Sequence, residues 1–262
     1  MMMYFKFISM SFQKSIAYRV EYFTSVLNAF LYIFIFTSVW SALIPAGSSM
    51  SGLSKNKMIA YAVLSTLIKA SMGRNESLIS SRVKSGEIAV DLMKPFSIPL
   101  MYLSDTLGTT LFQILSRSIP LLIFCYVIFD IDINITYIIL FKFFPVYILA
   151  FIIFFLMLFL ISSISFFIVD IFPILIFYWA LITLASGAII PLDFLPEAFS
   201  RILLFTPFPY LFYFPTMILL DRSFMMSYEQ LIINYILMIA VITVLANSVY
   251  SIGIRKLSIV GG

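Results

Sequence analysis

Polar residues are sparse along this chain and fall in short clusters, and the apolar runs between the clusters set the first prediction. Runs at about 21–44, 99–129, 139–165, 171–190 and 228–252 each approach or exceed the roughly 20 apolar residues a helix needs to cross a bilayer. A sixth run at 57–72, KMIAYAVLSTLIKASM, is weaker because it ends in polar residues. Ahead of them, Phe5, Ile8, Phe12 and Ile16 recur at helical spacing, with Lys6, Gln13 and Lys14 between. That pattern predicts a helix over 1–20 lying in the membrane interface, apolar side down. The plainer alternative is a cytoplasmic lead into the first span. No short apolar core precedes a small-residue cleavage site, so a cleaved signal is not expected.

Composition agrees. The 262 residues are 63% hydrophobic and 11% charged, where soluble proteins carry about 25% charged residues. This is the membrane class. Cys125 is the single cysteine, so there is no disulfide framework. The absence of histidine excludes His-ligated metals, Ser-His and Cys-His catalysis and histidine proton relays. None of the nine glycines is followed by lysine, so no phosphate-cradling GxxxxGK[ST] loop is present. No energy source of that kind resides in this chain.

Charge sets the orientation. With six spans and the N-terminus inside, Lys6, Lys14, Arg19, Lys69, Arg74, Arg82, Lys84, Lys94, Arg255 and Lys256 fall inside. Lys55, Lys57, Lys142, Arg201 and Arg222 fall outside, and Arg117 lies within a span. Basic residues favour the cytoplasmic side, so both termini are expected there. Dropping the weak 57–72 span would strand either the 73–98 cluster or the basic C-terminal pair outside.

Two segments depart from the plain spanning pattern. GRNESLISSRVKSGEIAVDLMKP, 73–95, is the largest polar stretch and is expected inside. Leu78, Ile79 and Val83 share one helical face, Ser85-Gly86 reads as a helix stop, and 87–93 could form a second short helix before Pro95. This predicts a compact docking knob with Arg74, Glu76, Arg82, Lys84 and Glu87 at its rim, and with Leu78 and Ile79 supplying burial against a partner. The second segment, 187–227, holds Pro191, Pro196, Pro207, Pro209 and Pro215. It is as apolar as a span yet repeatedly broken, because proline removes a donor and clashes with the preceding turn. Irregular backbone at membrane depth survives only where protein or a wet cavity covers it. Short re-entrant helices on the outer side are preferred here to an interfacial loop with an aromatic belt at Tyr210, Phe212 and Tyr213.

Three blocks carry a family resemblance. SSRVKSGEIAVDLMKPFSIP (80–99), SGAIIPLDFLPEAFSRILLFTPFPYLFYFPTMIL (186–219) and the tail GIRKLSIVGG occur in the order found in ABC-2 type exporter permeases of roughly this length. The chain resembles that family along its whole length. Its tail lacks the aromatic and acidic pair common before the closing glycines. The resemblance implies an all-α polytopic membrane protein forming a single transmembrane domain over 1–262. It implies six transmembrane helices, an N-terminal interfacial helix, a coupling helix between helices 2 and 3, and re-entrant helices between helices 5 and 6. By the same resemblance Arg74, Glu76, Leu78, Ile79, Arg82, Lys84, Gly86, Glu87 and Asp91 belong to the ATPase-coupling element, and Gly187, Pro191, Pro196, Pro207, Pro209 and Pro215 to the outer gate. Two copies of a separate ABC ATPase would bind ATP and Mg, with no cofactor in this chain. A second permease, identical or paralogous, would complete an exporter of an amphipathic, drug-like, peptide or lipid-like cargo in a bacterial cytoplasmic membrane.

Charges inside spans are the remaining candidates. Arg117 lies in TTLFQILSRSIPLLIFCYVI. A central Arg costs roughly 2.5–3.5 kcal/mol, while each Leu, Ile, Phe or Val returns about 0.3–0.6. Eleven such residues in this window offset the cost. A bond to Asp105 requires the helix to bend; otherwise the partner lies on another helix. A structural bond or snorkelling side chain is preferred for Arg117 to an anchor for an anionic group in the pathway. Glu21, Asp105 and Asp170, near span ends, carry the same two readings. Rival classes are weaker. An ion-coupled transporter needs midplane carboxylates and an internal repeat, and neither is visible. No GxGD motif pairs Asp105 with Asp170 for intramembrane catalysis. A non-transporting immunity or scaffold protein is a further reading, and a stable ATPase partner would separate it from an exporter.

Overall fold

Helices follow the apolar runs and stop at the polar clusters. The computed structural model describes residues 2–17, 19–44, 49–50, 53–73, 78–129, 136–168, 170–222 and 226–256. Helix α1 (Met2–Ala17) leads into α2 (Arg19–Leu43), and α3 spans Lys55–Ser71. Two-residue strands β1 (Ser49–Met50) and β2 (Leu53–Ser54) pair antiparallel between α2 and α3. Two short helices follow, α4 (Leu78–Ser85) and α5 (Glu87–Leu92). Helix α6 (Ile98–Gln113) continues through a π segment at Ile114–Ser118 into α7 (Ile119–Phe129). Helix α8 (Tyr137–Ser163) is prolonged by a 3-10 turn to Phe166. The C-terminal third holds α9 (Phe172–Ala185), α10 (Glu197–Leu204), α11 (Tyr213–Leu219) and α12 (Tyr228–Lys256).

Among the described residues, four helical runs are long and apolar enough to cross a membrane: Tyr22–Leu43, Ile98–Ile128, Tyr137–Phe166 and Tyr228–Lys256. The weak 57–72 run is largely enclosed by protein. Of the 17 residues of α3, 12 are buried, among them Tyr61, Val63 and Ser65 at 0% exposure. Its sequence is less greasy because it faces protein rather than lipid, where small and polar residues permit close approach and hydrogen bonding. The fifth run is shorter than expected. Helix α9 has 14 residues, about 21 Å at 1.5 Å per residue. The backbone leaves the helix at Ala185, where the sequence predicts a span to residue 190.

Contacts along the helices fix their relative directions. Tyr22 donates to the Ser116 carbonyl at 2.5 Å, and the Phe30 and Phe124 rings lie 5.1 Å apart, so α2 and the α6–α7 run are parallel. Tyr228 donates to the Lys142 carbonyl at 3.0 Å, while Phe166 packs edge-on to Tyr250 at 5.9 Å, so α8 and α12 are parallel. The first pair ascends as the second descends. The α4–α5 knob, the 164–171 turn and the end of α12 therefore share one end of the bundle. The hairpin, the 186–222 segment and the start of α12 share the other.

Helix α1 departs from the picture of a free interfacial helix. It docks along α6: Phe7 packs on Phe96 at 5.5 Å, Phe12 on Phe112 at 5.7 Å, and Ser11 donates to the Asp105 carboxylate. Phe5 and Ile16 stay exposed, while Ile8 and Phe12 are half-buried against protein. The apolar stripe predicted to face lipid is thus divided between the exposed surface and α6.

Candidate functional site

The α4–α5 knob is built on an inward apolar base. Ile79 and Ile88, each 2% exposed, sit with Ile98, Met101, Phe155 and Phe159 from α6 and α8. Gly86 (φ +77°) turns the chain between the two helices, in the left-handed region that glycine adopts without a Cβ penalty. Asp91 is 1% exposed and receives Lys94 Nζ at 2.7 Å together with Arg82 Nη1. Burial works to raise the Asp91 carboxyl, but the bonds from Lys94 and Arg82 outweigh it and hold its pKa below the usual carboxylate value. One buried carboxylate of α5 thus ties together α4 and Lys94, two residues past the end of α5. At the edge, Lys84 Nζ reaches Asp170 Oδ1 at 3.1 Å, and this bond, with one from the Phe172 amide, lowers the Asp170 pKa.

Two predicted contact residues therefore change role. Ile79 faces the protein's own core and cannot supply burial to a partner, because α6 and α8 already cover it. Asp91 is an internal clamp. Lys84, Glu87 and Gly86 are exposed and Arg82 is half-exposed. Arg74 and Glu76 lie outside the described residues, as does the Gly-Gly tail, and for Leu78 only the backbone is described. The apolar surface of the knob comes from residues the sequence reading passed over: Val90 is 52% exposed, Met93 79% and Leu92 36%. The signal was in the spacing. Ile88 and Asp91 point one way and Val90 and Met93 the other, each three apart on a short helix.

At the opposite end, the broken segment folds back into the bundle. Gly187 (φ +74°) makes the turn after α9, and the Tyr213 amide returns to the Ser186 carbonyl at 3.1 Å. Pro191 precedes a 3-10 turn at Leu192–Phe194, Pro196 immediately precedes α10, and Pro207 and Pro209 lie between α10 and α11. Pro215 sits in the first turn of α11, where its missing donor costs nothing. Every residue of α11 is buried, against α3 and α8. Polar groups of the walls satisfy the irregular backbone: Tyr61 donates to the Gly187 carbonyl, Ser65 to Ala188 at 3.0 Å, and Tyr235 to Tyr210 at 2.6 Å. That is the condition under which non-helical chain is tolerated at membrane depth. Helix α10 lies on the outside, exposing Phe199 and Ile202, and Phe205 is exposed just past its end.

Arg117 sits in the π segment, and its Nη1 donates to Gln113 Oε1 at 3.5 Å. Asp105 faces Ser11 of α1. Both line one cavity of about 720 Å³ between α1, α2, α3 and the α6–π run, together with Lys14 and Lys69. Among the described residues no group of three or more His, Cys, Asp or Glu could hold a metal ion.

Comparison with curated proteins finds no match. Residues 22–261 match the family model described as ABC-2 family transporter protein. That match covers every spanning helix, the α4–α5 knob and the broken outer segment, and so the chain belongs to the ABC-2 family of transporter proteins.

Proposed function

We propose that this multi-pass permease works as half of an ATP-driven exporter, with α4 and α5 as the element that receives motion from a separate ABC ATPase. The observation that carries this reading is the build of the knob. Its base packs on α6 and α8 through Ile79 and Ile88, and the Asp91 clamp makes the knob itself rigid. Its tip offers exposed Val90, Leu92 and Met93 ringed by Lys84, Glu87 and Lys94. An apolar centre with a charged rim is what a protein interface needs. A rigid base passes displacement on to the spans rather than absorbing it.

In this reading ATP and Mg bind two copies of the ATPase, and a second permease completes the pathway. The knob and both termini lie in the cytoplasm, at the inner membrane of a bacterium. Closure of the ATPase dimer pushes the knob, tilts α6 and α8, and shifts α11, which plugs the outer end. The cargo is amphipathic, in keeping with the abundant Phe, Tyr and Met of the chain.

The test is affinity purification of the chain from its host in nanodiscs, with the co-purifying proteins identified and vanadate-sensitive ATP hydrolysis assayed. An ATPase that co-purifies, and is lost with Val90→Asp plus Met93→Asp, supports the proposal. Retention of the ATPase by that variant would sink the placement of the contact. Absence of any ATPase from the native preparation would sink the exporter reading itself.

A further inference from the structure

We propose that the cavity between α1, α2, α3 and the π segment binds an uncharged, polyhydroxylated group of the sugar class. The cavity holds about 720 Å³, within the range of small-molecule sites, about 300–1,000 Å³. Its charges do not select the ligand. Lys69, Arg117 and Asp105 are each engaged within the protein, and Lys14 lies close enough to Asp105 to act on it electrostatically. The uncharged lining is left to decide what fits. Five of its hydroxyls spend their proton on the protein. Ser15, Tyr22, Ser25 and Thr66 donate to main-chain carbonyls at 2.5–2.9 Å, and Ser11 donates to the Asp105 carboxylate. A hydroxyl has one donor and two acceptor lone pairs, so these oxygens offer a ligand only lone pairs.

Donors come from the amides. Gln113 gives its Oε1 to Arg117 and keeps both Nε2 hydrogens for the cavity, while Asn28 makes no hydrogen bond among the described residues. The Tyr32 hydroxyl on the same wall is buried without a partner among the described residues, a cost that an incoming hydroxyl would relieve. A ligand hydroxyl donates and accepts at once, so a polyol satisfies the oxygens and the amides together. A phosphate or carboxylate would meet the hydroxyl oxygens lone pair to lone pair, and an ammonium would leave the amide hydrogens unmet. The cavity lies beside the first turn of α2 and the last turn of α3, the helix that leads to the knob. A lipid with a sugar headgroup and a free sugar carry the same chemistry there. The inference goes beyond the export reading, since it needs the folded chain and no ATPase.

The full chain is reconstituted without nucleotide in phosphatidylcholine nanodiscs that hold glucosyl diacylglycerol and phosphatidylglycerol of matched chains in equal amounts, and retained lipid is measured by native mass spectrometry. Selective, saturable retention of the glucosyl lipid is expected, weakened about fivefold in Asn28→Leu or Gln113→Leu. It should be unchanged in Asn247→Leu, an exposed amide of α12 outside the cavity lining. Displacement of the lipid by added methyl glucoside assigns the site to soluble sugars as well; failure to displace it assigns the site to membrane lipid. In the wild-type chain, a photoactivatable group on the sugar ring should label peptides of α1, α2 and the π segment, and unlabelled glucosyl lipid should compete where phosphatidylglycerol does not, a readout that needs no variant to fold. Retention of phosphatidylglycerol equal to or above that of the glucosyl lipid, or equal competition by the two, would overturn the proposal.

Discussion

Lys94 Nζ lies 2.7 Å from Asp91 Oδ1, and the Asp91 side chain is 1% exposed. With Arg82 on its other oxygen, this carboxylate holds the two short helices at a set angle. Removing one partner of a buried ion pair costs more than the pair is worth, because it strands the other charge. Asp91→Asn should therefore destabilise the knob by up to about 3 kcal/mol, toward the low end of that effect, since both cations keep access to water. Hydrogen exchange over 78–94 should rise while exchange in α8 and α12 stays unchanged. The pH dependence follows the same group. Its folded pKa lies below the unfolded value of about 3.9. The stabilisation is present above that value and is lost as pH falls through the folded pKa. Neutral and mildly acidic buffers should give the same exchange, and protection should fall only in strong acid.

Two aspartate substitutions on one knob should behave differently. Ile79→Asp places a charge at a site 2% exposed among Met101, Phe155 and Phe159. A loss of several kcal/mol in stability and poor recovery from membranes are expected. Met93→Asp, at a site 79% exposed, should change thermal stability by under about 0.5 kcal/mol and act only on partner binding. Comparable melting of both variants by size-exclusion thermal assay would contradict the inward placement of Ile79.

The exposed pair Lys84 and Asp170, 3.1 Å apart, ties α4 to the turn before α9. Exposed pairs add little to stability, so single reversals should leave the melting point in place. If the pair sets the register of the knob, Lys84→Asp should lower ATPase activity in the reconstituted complex, and Lys84→Asp with Asp170→Lys should recover it. High salt should blunt both effects. Equal activity in the single and double reversals would leave no coupling role for the pair.

Gly187 is held by its backbone and its surroundings at once. At φ +74°, an added Cβ would lie 2.8 Å from Tyr213 Cβ and 2.9 Å from Leu192 Cδ1. Gly187→Ala should cost about 1–3 kcal/mol from backbone strain, with further loss if α11 has to move. Cysteine accessibility along α11 reads this directly: labelling at introduced cysteines should increase in the variant.

Hydropathy and the spacing of charges, read from the sequence alone, determined the membrane class, the six helical runs, the polar segment that breaks after the second and the broken segment that follows the fifth. These are properties of local chain: lipid accepts any long apolar helix, and closely spaced prolines interrupt one. Only the tertiary structure decided which faces of those elements are used. Ile79 and Val90 are both apolar residues on short helices of one knob, and the packing of α6 and α8 alone sets one inside and the other out. The weak 57–72 run reads as marginal because Ser65 serves the broken outer segment and Ser71 serves α8, and hydropathy assumes a lipid neighbour. Arg117, Lys69 and Lys14 read as separate charges on three segments. They share a cavity because α1 docks on α6, a long-range contact that no local pattern encodes.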